Sequence, residues 1–246
     1  MNLAIVVPTY NEARSLPGLV EELQRLPLWG SSALIVVDDA SPDGTGAVAD
    51  SLAATAGGRI HVVHRPRKGG LGSAYRAGFG RALELGASRV VQMDADSSHS
   101  PRDVPRLVAG AEEGADLVIG SRYVRGGSID ERWSAGRRFL SWWANHVWVR
   151  AVLGTAVRDA TSGFRCWRSE ALADVLRQEV RSQGYVFLVE MAYVAERRGY
   201  RIAEAPIRFE ERYTGTSKMD TRIKIEAAWR VFEIRRRHRG LTPASS

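Results

Sequence analysis

The chain has 246 residues, 44% hydrophobic and 26% charged, enough for one sizeable core or one domain with an appendage. Its single cysteine, Cys166, excludes an internal disulfide and fits a reducing compartment. A formal net charge of +7 points to an anionic partner, and no run reaches the roughly 18 to 20 apolar residues of a spanning helix.

The N-terminus runs from Met1-Asn2-Leu3 straight into an apolar stretch stopped by Pro8, too short for a secretory signal. Leu3–Val7 reads as a buried strand. Ser15–Leu26 carries Leu16, Leu19, Val20, Leu23 and Leu26 at helical spacing. Strands then follow at Ala33–Val37, Ile60–His64, Arg89–Met93 and Leu117–Gly120. Helices alternate with them at Thr45–Ala56, Leu71–Leu85 and Val104–Glu113. Continuous apolar strands alternating with helices predict an α/β fold, a Rossmann-like sheet with helices on both faces.

After residue 125 the rhythm changes. Residues 126–136, GGSIDERWSAG, read as a mobile loop. A helical stretch with Trp142, Trp143 and Trp148 follows, and its apolar run Phe139–Val157 is interrupted by Asn145, His146 and Arg150. Residues 159–170 read as a turn-rich connection, Gly184–Arg198 as a helix around Phe187, Glu190 and Met191, and Arg201–Glu210 as two short strands around Pro206. RYTGTSK, residues 212–218, reads as a loop, and Ile223–His238 as a basic amphipathic helix.

Ligands of such sheets sit outside the carboxyl ends of the strands. Five polar or glycine-rich segments stand there: PTYNE (8–12), DDASPDGT (38–45), RPRKGGLGSA (65–74), MDADSSHSP (93–101) and GSRY (120–123). Asp94 and Asp96 are one residue apart, and in an extended chain they point the same way. Two close carboxylates repel unless a cation lies between them. A hard cation, Mg²⁺ or Mn²⁺, suits oxygen ligands and shares them with a substrate's phosphates. The plainer alternative is a capping cluster ahead of Pro101. No His and Cys stand at zinc spacing, no GxxxxGK[ST] is present, and no GxGxxG follows the first strand.

VVPTYNE, VVDDASPDGT, GLGSA, MDADSSHSP, GSRY, TSGFR and RYTGTSK, in this order and spacing, resemble the inverting GT-A glycosyltransferases. More narrowly they resemble the polyprenol (dolichol) phosphate mannose synthases, from about residue 3 to residue 218. The resemblance implies a catalytic domain over 1–218, with the helix and tail of 219–246 as a separate appendage. It implies that Pro8, Tyr10, Glu12 and Asp39 hold the nucleoside of the donor. Asp94, Ala95 and Asp96 would bind its ribose, diphosphate and metal, with Ser98 near enough to join, and Asp96 would be central to catalysis. Arg122 would sit beside sugar and acceptor phosphate, and Arg212 and Lys218 would close over the phosphates. The implied donor is GDP-mannose, the acceptor a polyprenyl phosphate and the product a β-linked polyprenyl phosphomannose. A UDP-glucose or related donor is the alternative, because the strand-end motifs do not tell guanine from uracil.

The residues add to this. Arg137 and Arg138 open the tryptophan-rich helix, with Ser141 one turn on, and this trio suits an acceptor phosphate. The alternative is a solvated helix start. Tryptophan favours the membrane interface, and the C-terminal helix pairs Arg230 and Arg235 to Arg237 with Trp229, Phe232 and Ile234. Peripheral attachment to the cytoplasmic face of a membrane follows, by this helix or through a separate membrane anchor protein. A nucleic-acid-binding module would leave the acidic pair unexplained, so no nucleic acid is expected. Glu190, an acid on an apolar helix, needs a partner, and an arginine is the natural one.

Overall fold

The computed structural model describes residues 2–210 and 221–244, and for 221–228 the backbone alone. Four parallel strands form half of the central sheet: β1 (Leu3–Thr9), β2 (Ser32–Asp38), β3 (Ile60–His64) and β4 (Arg89–Gln92). β5 (Leu117–Ser121) pairs in parallel with β8 (Ile202–Pro206). Between the halves lies β7 (Arg165–Arg168), antiparallel to both β4 and β5, giving the order β3-β2-β1-β4-β7-β5-β8. A separate two-stranded ribbon joins β6 (Ser128–Ile129) to β9 (Arg208–Phe209).

Alternation along β1 sorts the core. Leu3, Ile5 and Val7 face one side with the buried residues of α1 (Leu16–Gln24) and α4 (Val104–Glu112), against which α2 (Thr45–Thr55) also packs. Ala4 and Val6 face the other side with α3 (Leu71–Glu84) and the long helical run that follows β6. That run is α5 (Ala135–Trp143), a π-helical stretch (Ala144–Val149) and α6 (Arg150–Leu153). The same face is completed by α7 (Ser169–Arg177), α8 (Gly184–Arg197) and α9 (Thr221–His238). Both faces are therefore covered, as the unbroken apolar strands require. Gly78 lets α3 approach the sheet, since a Cβ there would lie 2.3 Å from Val6 Cγ1.

Two features depart from the expectations, and a third, the arginine partner expected for Glu190, is met. The turn-rich connection contains a strand, because Arg165 is fully buried and donates to the carbonyls of Ser162 (2.9 Å), Ala160 (2.7 Å) and Leu188 (2.9 Å). Burial lowers this guanidinium to about 10, which leaves it charged at neutral pH. The segment 126–136 contains β6 and a buried Trp133, whose ring meets Phe209 edge-on at 5.6 Å. The partner of Glu190 is on the C-terminal helix: Arg237 Nη1 (2.5 Å) and His238 Nε2 (2.8 Å) meet Oε1, and the Ser182 N–H meets Oε2 (2.7 Å). Burial alone would raise this carboxyl, but those hydrogen bonds and the Arg237 charge hold it below its usual range. Cys166 is buried and its thiol is pushed up to about 12 by that burial, so it is an inert core residue.

Candidate active site

Among the described residues three non-glycine ones have left-handed backbones: Asn11 (φ 63°), Ala40 (φ 58°) and Ser97 (φ 63°). They follow β1, β2 and β4, so all stand at the carboxyl edge of the sheet. Such conformations cost of order 1 kcal/mol or more each and concentrate where main chain meets ligand.

At the first of these turns Pro8 lies within β1, and Lys68 Nζ sits 3.5 Å over the ring of Tyr10. The Glu12 N–H donates to Thr45 Oγ1 at 2.9 Å, and the Ser15 hydroxyl donates to its carboxylate. Asp39 is buried and organises the glycine loop: its Oδ1 accepts from Arg65 Nη1 (2.6 Å), and its Oδ2 from the Gly70 N–H (2.8 Å). Lys68 and Arg65 thus bring two cations to the edge where the strand-end motifs converge; the sequence reading quoted their segment, RPRKGGLGSA, but gave neither residue a role.

The acidic pair lies beyond its strand. β4 stops at Gln92 and the chain bends over residues 95–99, with Ser97 left-handed, so Asp96 stands in the bend and Asp94 just before it. Asp94 Oδ1 accepts from the Tyr75 hydroxyl at 3.0 Å, and the Asp94 N–H donates to His99 Nδ1 at 3.1 Å. His99 therefore carries its neutral-ring proton on Nε2. It is clamped between Phe164 (stacked, 5.0 Å) and Phe209 (edge-on, 5.6 Å). Burial and the Asp94 charge push the Tyr75 hydroxyl well above its usual range, so it remains a donor. Asp96 is nearly buried, beside Ala95. Its Oδ1 accepts both the Ser98 N–H (3.1 Å) and the Ser98 hydroxyl (2.6 Å). Ser98 is fully buried and its hydroxyl proton is spent on orienting Asp96.

This donor set fits a hard cation. Both acids have their orientations set by other side chains, and a Cβ on Gly163 would lie 3.5 Å from each Asp94 oxygen, so the glycine keeps that carboxylate's face clear. Among the described residues no third carboxylate, histidine or cysteine joins them into a three-ligand cluster. Two carboxylates with the remaining positions left to phosphate and water is the usual arrangement for Mg²⁺.

Asp94 lines a cavity of about 630 Å³ together with Arg122, Arg137 and Ser141. Arg122 follows β5 and is 9% exposed. Its Nε and Nη2 make a fork to the two oxygens of Asp159 at 2.7 and 2.6 Å, and Nη2 also reaches Thr161 Oγ1 at 2.8 Å. Burial disfavours its charge, but the Asp159 carboxylate more than offsets this and raises the guanidinium above its ordinary range. Arg137 lies 3.6 Å over the Trp133 ring. Ser141 accepts the Tyr123 hydroxyl at 2.6 Å. Arg138 is exposed and does not line the cavity. Arg212 and Lys218 lie outside the described residues. Leu140 and Tyr185 line the cavity and are also more than 40% exposed, so they mark its mouth. Near Leu140 the apolar side chains Phe139, Trp142, Trp143 and Val147 are exposed. Trp143 stacks on Trp148, which meets Phe232 of α9, which in turn meets Trp229.

Residues 4–176 match the family model described as glycosyl transferase family 2. The chain belongs to this family. As a family 2 glycosyltransferase it is an enzyme. It is 43% identical to the polyprenol monophosphomannose synthase of Mycolicibacterium smegmatis over 93% of this chain and 85% of that protein. It is 45% identical to the undecaprenyl-phosphate mannosyltransferase of Micrococcus luteus over 94% of this chain and 93% of that protein. Its fold matches that of the glucosyl-3-phosphoglycerate synthase of Mycobacterium tuberculosis, solved with Mn²⁺, UDP and phosphoglyceric acid. The TM-score there is 0.66 at 20% identity, over 99% of this chain and 80% of that one. The S. aureus TarS structure with UDP-GlcNAc gives 0.63 at 16% identity, over 95% and 66%.

Several residues of this glycosyltransferase's site escaped the sequence reading: Tyr75, Asn145, Asp159, Thr161 and Tyr185. Tyr75 stands directly after the GLGSA motif, on the helix that motif begins, and a helical position facing the strand ends was its only signal. Asp159 lies two residues before TSGFR and Thr161 is its first residue, but nothing local pairs either with Arg122, which is 37 and 39 residues away.

Proposed function

We propose that this enzyme transfers mannose from GDP-mannose to the phosphate of a polyprenyl chain, giving polyprenyl phosphomannose with inversion at the anomeric carbon. The observation that carries the proposal is the single cavity that brings Asp94, from the acidic turn, together with Arg122, Arg137 and Ser141 and opens at an exposed apolar surface. The two mannosyltransferase relatives support the sugar and the acceptor class.

Asp94 and Asp96 would hold Mg²⁺ or Mn²⁺, which when bound neutralises the departing diphosphate. Tyr75, His99 and Ser98 orient those carboxylates. Pro8, Tyr10, Glu12 and Asp39, with Ala95, frame the nucleoside. Arg122, Arg137 and Ser141 hold the acceptor phosphate, whose oxygen is already ionised at neutral pH, so no strong general base is needed. That oxygen bonds to the anomeric carbon as the bond from carbon to diphosphate oxygen breaks, and GDP leaves with the electron pair. Positioning and charge neutralisation are the protein's main contributions. Arg212 and Lys218 complete the cationic set in this reading, whereas Arg138, exposed and outside the cavity lining, has no part in it.

Among the described residues no helix is long and apolar enough to cross a membrane. The exposed aromatics of α5 and α9, with Arg235 and Arg236 exposed on the last turns, support peripheral contact with anionic lipid. Arg237 does not add to that face, because it turns inward to Glu190. The cytoplasmic side is the proposed face, in keeping with a lone unpaired cysteine, and a separate membrane protein is the proposed additional anchor.

The test is transfer of labelled sugar to polyprenyl phosphate, with GDP-mannose or UDP-glucose as donor and with Mg²⁺, Mn²⁺ or EDTA. Label entering lipid from GDP-mannose alone, and lost with EDTA, is the expected result. Transfer from UDP-glucose instead would keep the mechanism and replace the donor. No transfer from either would overturn the reading.

A further inference from the structure

The helix that carries Arg137 and Ser141 changes its winding halfway. α5 is regular, the stretch Ala144–Val149 is π-helical, and α6 is regular again. A π turn holds one residue more than an α turn. It therefore rotates everything before it by about 100° relative to an uninterrupted helix. That rotation decides which α5 side chains face the cavity. Leu140, Ser141, Ala144 and Asn145 line it, while Phe139, Trp142 and Trp143 stay exposed.

Asn145 stands in this stretch and is 1% exposed. A buried primary amide must find partners for two donors and one acceptor. Its Nδ2 donates to the Ser141 carbonyl (3.0 Å), one turn earlier on the same helix, and to Thr161 Oγ1 (3.0 Å). Its Oδ1 accepts the Thr161 N–H (3.2 Å). The Thr161 hydroxyl is then fully used. It accepts from Asn145 and from Arg122 Nη2 (2.8 Å), and its own proton points to Asp159 Oδ1 at 3.4 Å. Arg122 spends Nε and Nη2 on Asp159 and Thr161, which leaves Nη1 without a hydrogen-bond partner among the described residues in a residue that lines the cavity.

We propose that Asn145 and Thr161 are positioning residues for the acceptor phosphate. Together they lock the rotation of α5 to the placement of the Arg122 guanidinium. Ser141 and Arg122 Nη1, which come from different parts of the chain, are thereby held at one fixed separation. Neither Asn145 nor Thr161 need touch the substrate to do this. Leucine at 145 keeps the branched shape, though with greater bulk, and loses all three bonds, and aspartate loses both donors. Valine at 161 keeps the shape and loses the hydroxyl that joins helix and arginine. The proposal rests on the assignment of Arg122 and Ser141 to the acceptor.

The experiment is steady-state kinetics of Thr161→Val, Thr161→Ser and Asn145→Leu with polyprenyl monophosphate in detergent micelles, alongside calorimetry of GDP-mannose binding. The Val and Leu variants are expected to raise the KM for polyprenyl phosphate about tenfold or more, as loss of a hydrogen bond to a charged group would. Donor affinity should stay unchanged, and Thr161→Ser should return the KM to near the wild-type value. An unchanged acceptor KM in both variants overturns the proposal. So does donor affinity falling in step with the acceptor KM, which marks a general loss of structure. If the wild type itself transfers nothing to polyprenyl phosphate, the functional reading fails, a result separate from either of these.

Discussion

The site is built in two ways. After β4 it is a tight turn braced largely from within: the Asp96 carboxylate is held by Ser98 two residues on, and the Asp94 N–H by His99 five residues on. Around β5 and α5 it is a web of side chains that lie far apart in sequence: Arg122 to Asp159, Arg122 to Thr161, Asn145 to Thr161 and Tyr123 to Ser141. The first is a set of local motifs, and the second exists only after the chain has folded. Damage to the first should therefore cost chemistry and spare stability. Damage to the second should cost both.

Asp96→Asn puts the first half of that contrast to its hardest test. Turnover should fall by about a thousandfold, the scale of losing a preorganised electrostatic contact. The melting temperature should hold or rise, because two close acids no longer repel. A large drop in melting temperature would show that the acidic turn is structural. Asp159→Asn tests the other half. It leaves a buried guanidinium without its counter-charge, and denaturant unfolding should show a loss of about 3 kcal/mol together with reduced turnover. Unchanged stability would mean that the web is dispensable to the fold.

Glu190→Gln sharpens the contrast further, because Glu190 anchors a second cluster of distant side chains, on the C-terminal helix. The expected loss is about 2 kcal/mol at neutral pH. Glu190 has its carboxyl held below the ordinary 4.5, so the stability it contributes is present above that pH. This contribution is lost as the pH falls through the lower folded value. Thermal melts of wild type and variant should therefore differ by a constant amount above about pH 4.5 and converge below it. A difference that grows in acid would reverse the assignment. The smallest effect concerns the local turns: Ala40→Gly relieves a left-handed backbone, with a gain of up to about 1 kcal/mol and activity unchanged.

The same contrast governs what was legible. The parallel strands and their helices showed themselves through apolar runs and helical spacing, and the strand-end segments through their polarity. The two short strands around Pro206 were also readable, because the proline and the flanking alternation are local. β7 was not readable. Its four residues begin and end in arginine, and one of those arginines is buried on three backbone carbonyls that come from elsewhere. Ser98, Asp94 and Asp96 could be singled out by position, while the turn that carries them depends on a left-handed serine that no pattern announces. The π-helical stretch was invisible for the same reason as the web: Asn145 looks like an interruption of an apolar run until Thr161 is placed beside it.

The aromatic surface at the cavity mouth has an optical consequence. The chain holds seven tryptophans, and Trp142, Trp143 and Trp229 are exposed on that surface, at 44%, 37% and 68%. Trp167 is buried in the sheet, with its indole N–H on Gln92, and Trp133 is buried beneath Arg137. Water-exposed indoles therefore concentrate where lipid is proposed to bind, and the interior ones contribute a constant background. The intrinsic emission of the unlabelled protein should move to shorter wavelength on contact with anionic vesicles, and quenchers fixed at known depths in the bilayer should reach these three rings before any other. The enzyme thus carries its own probe of its orientation at a membrane.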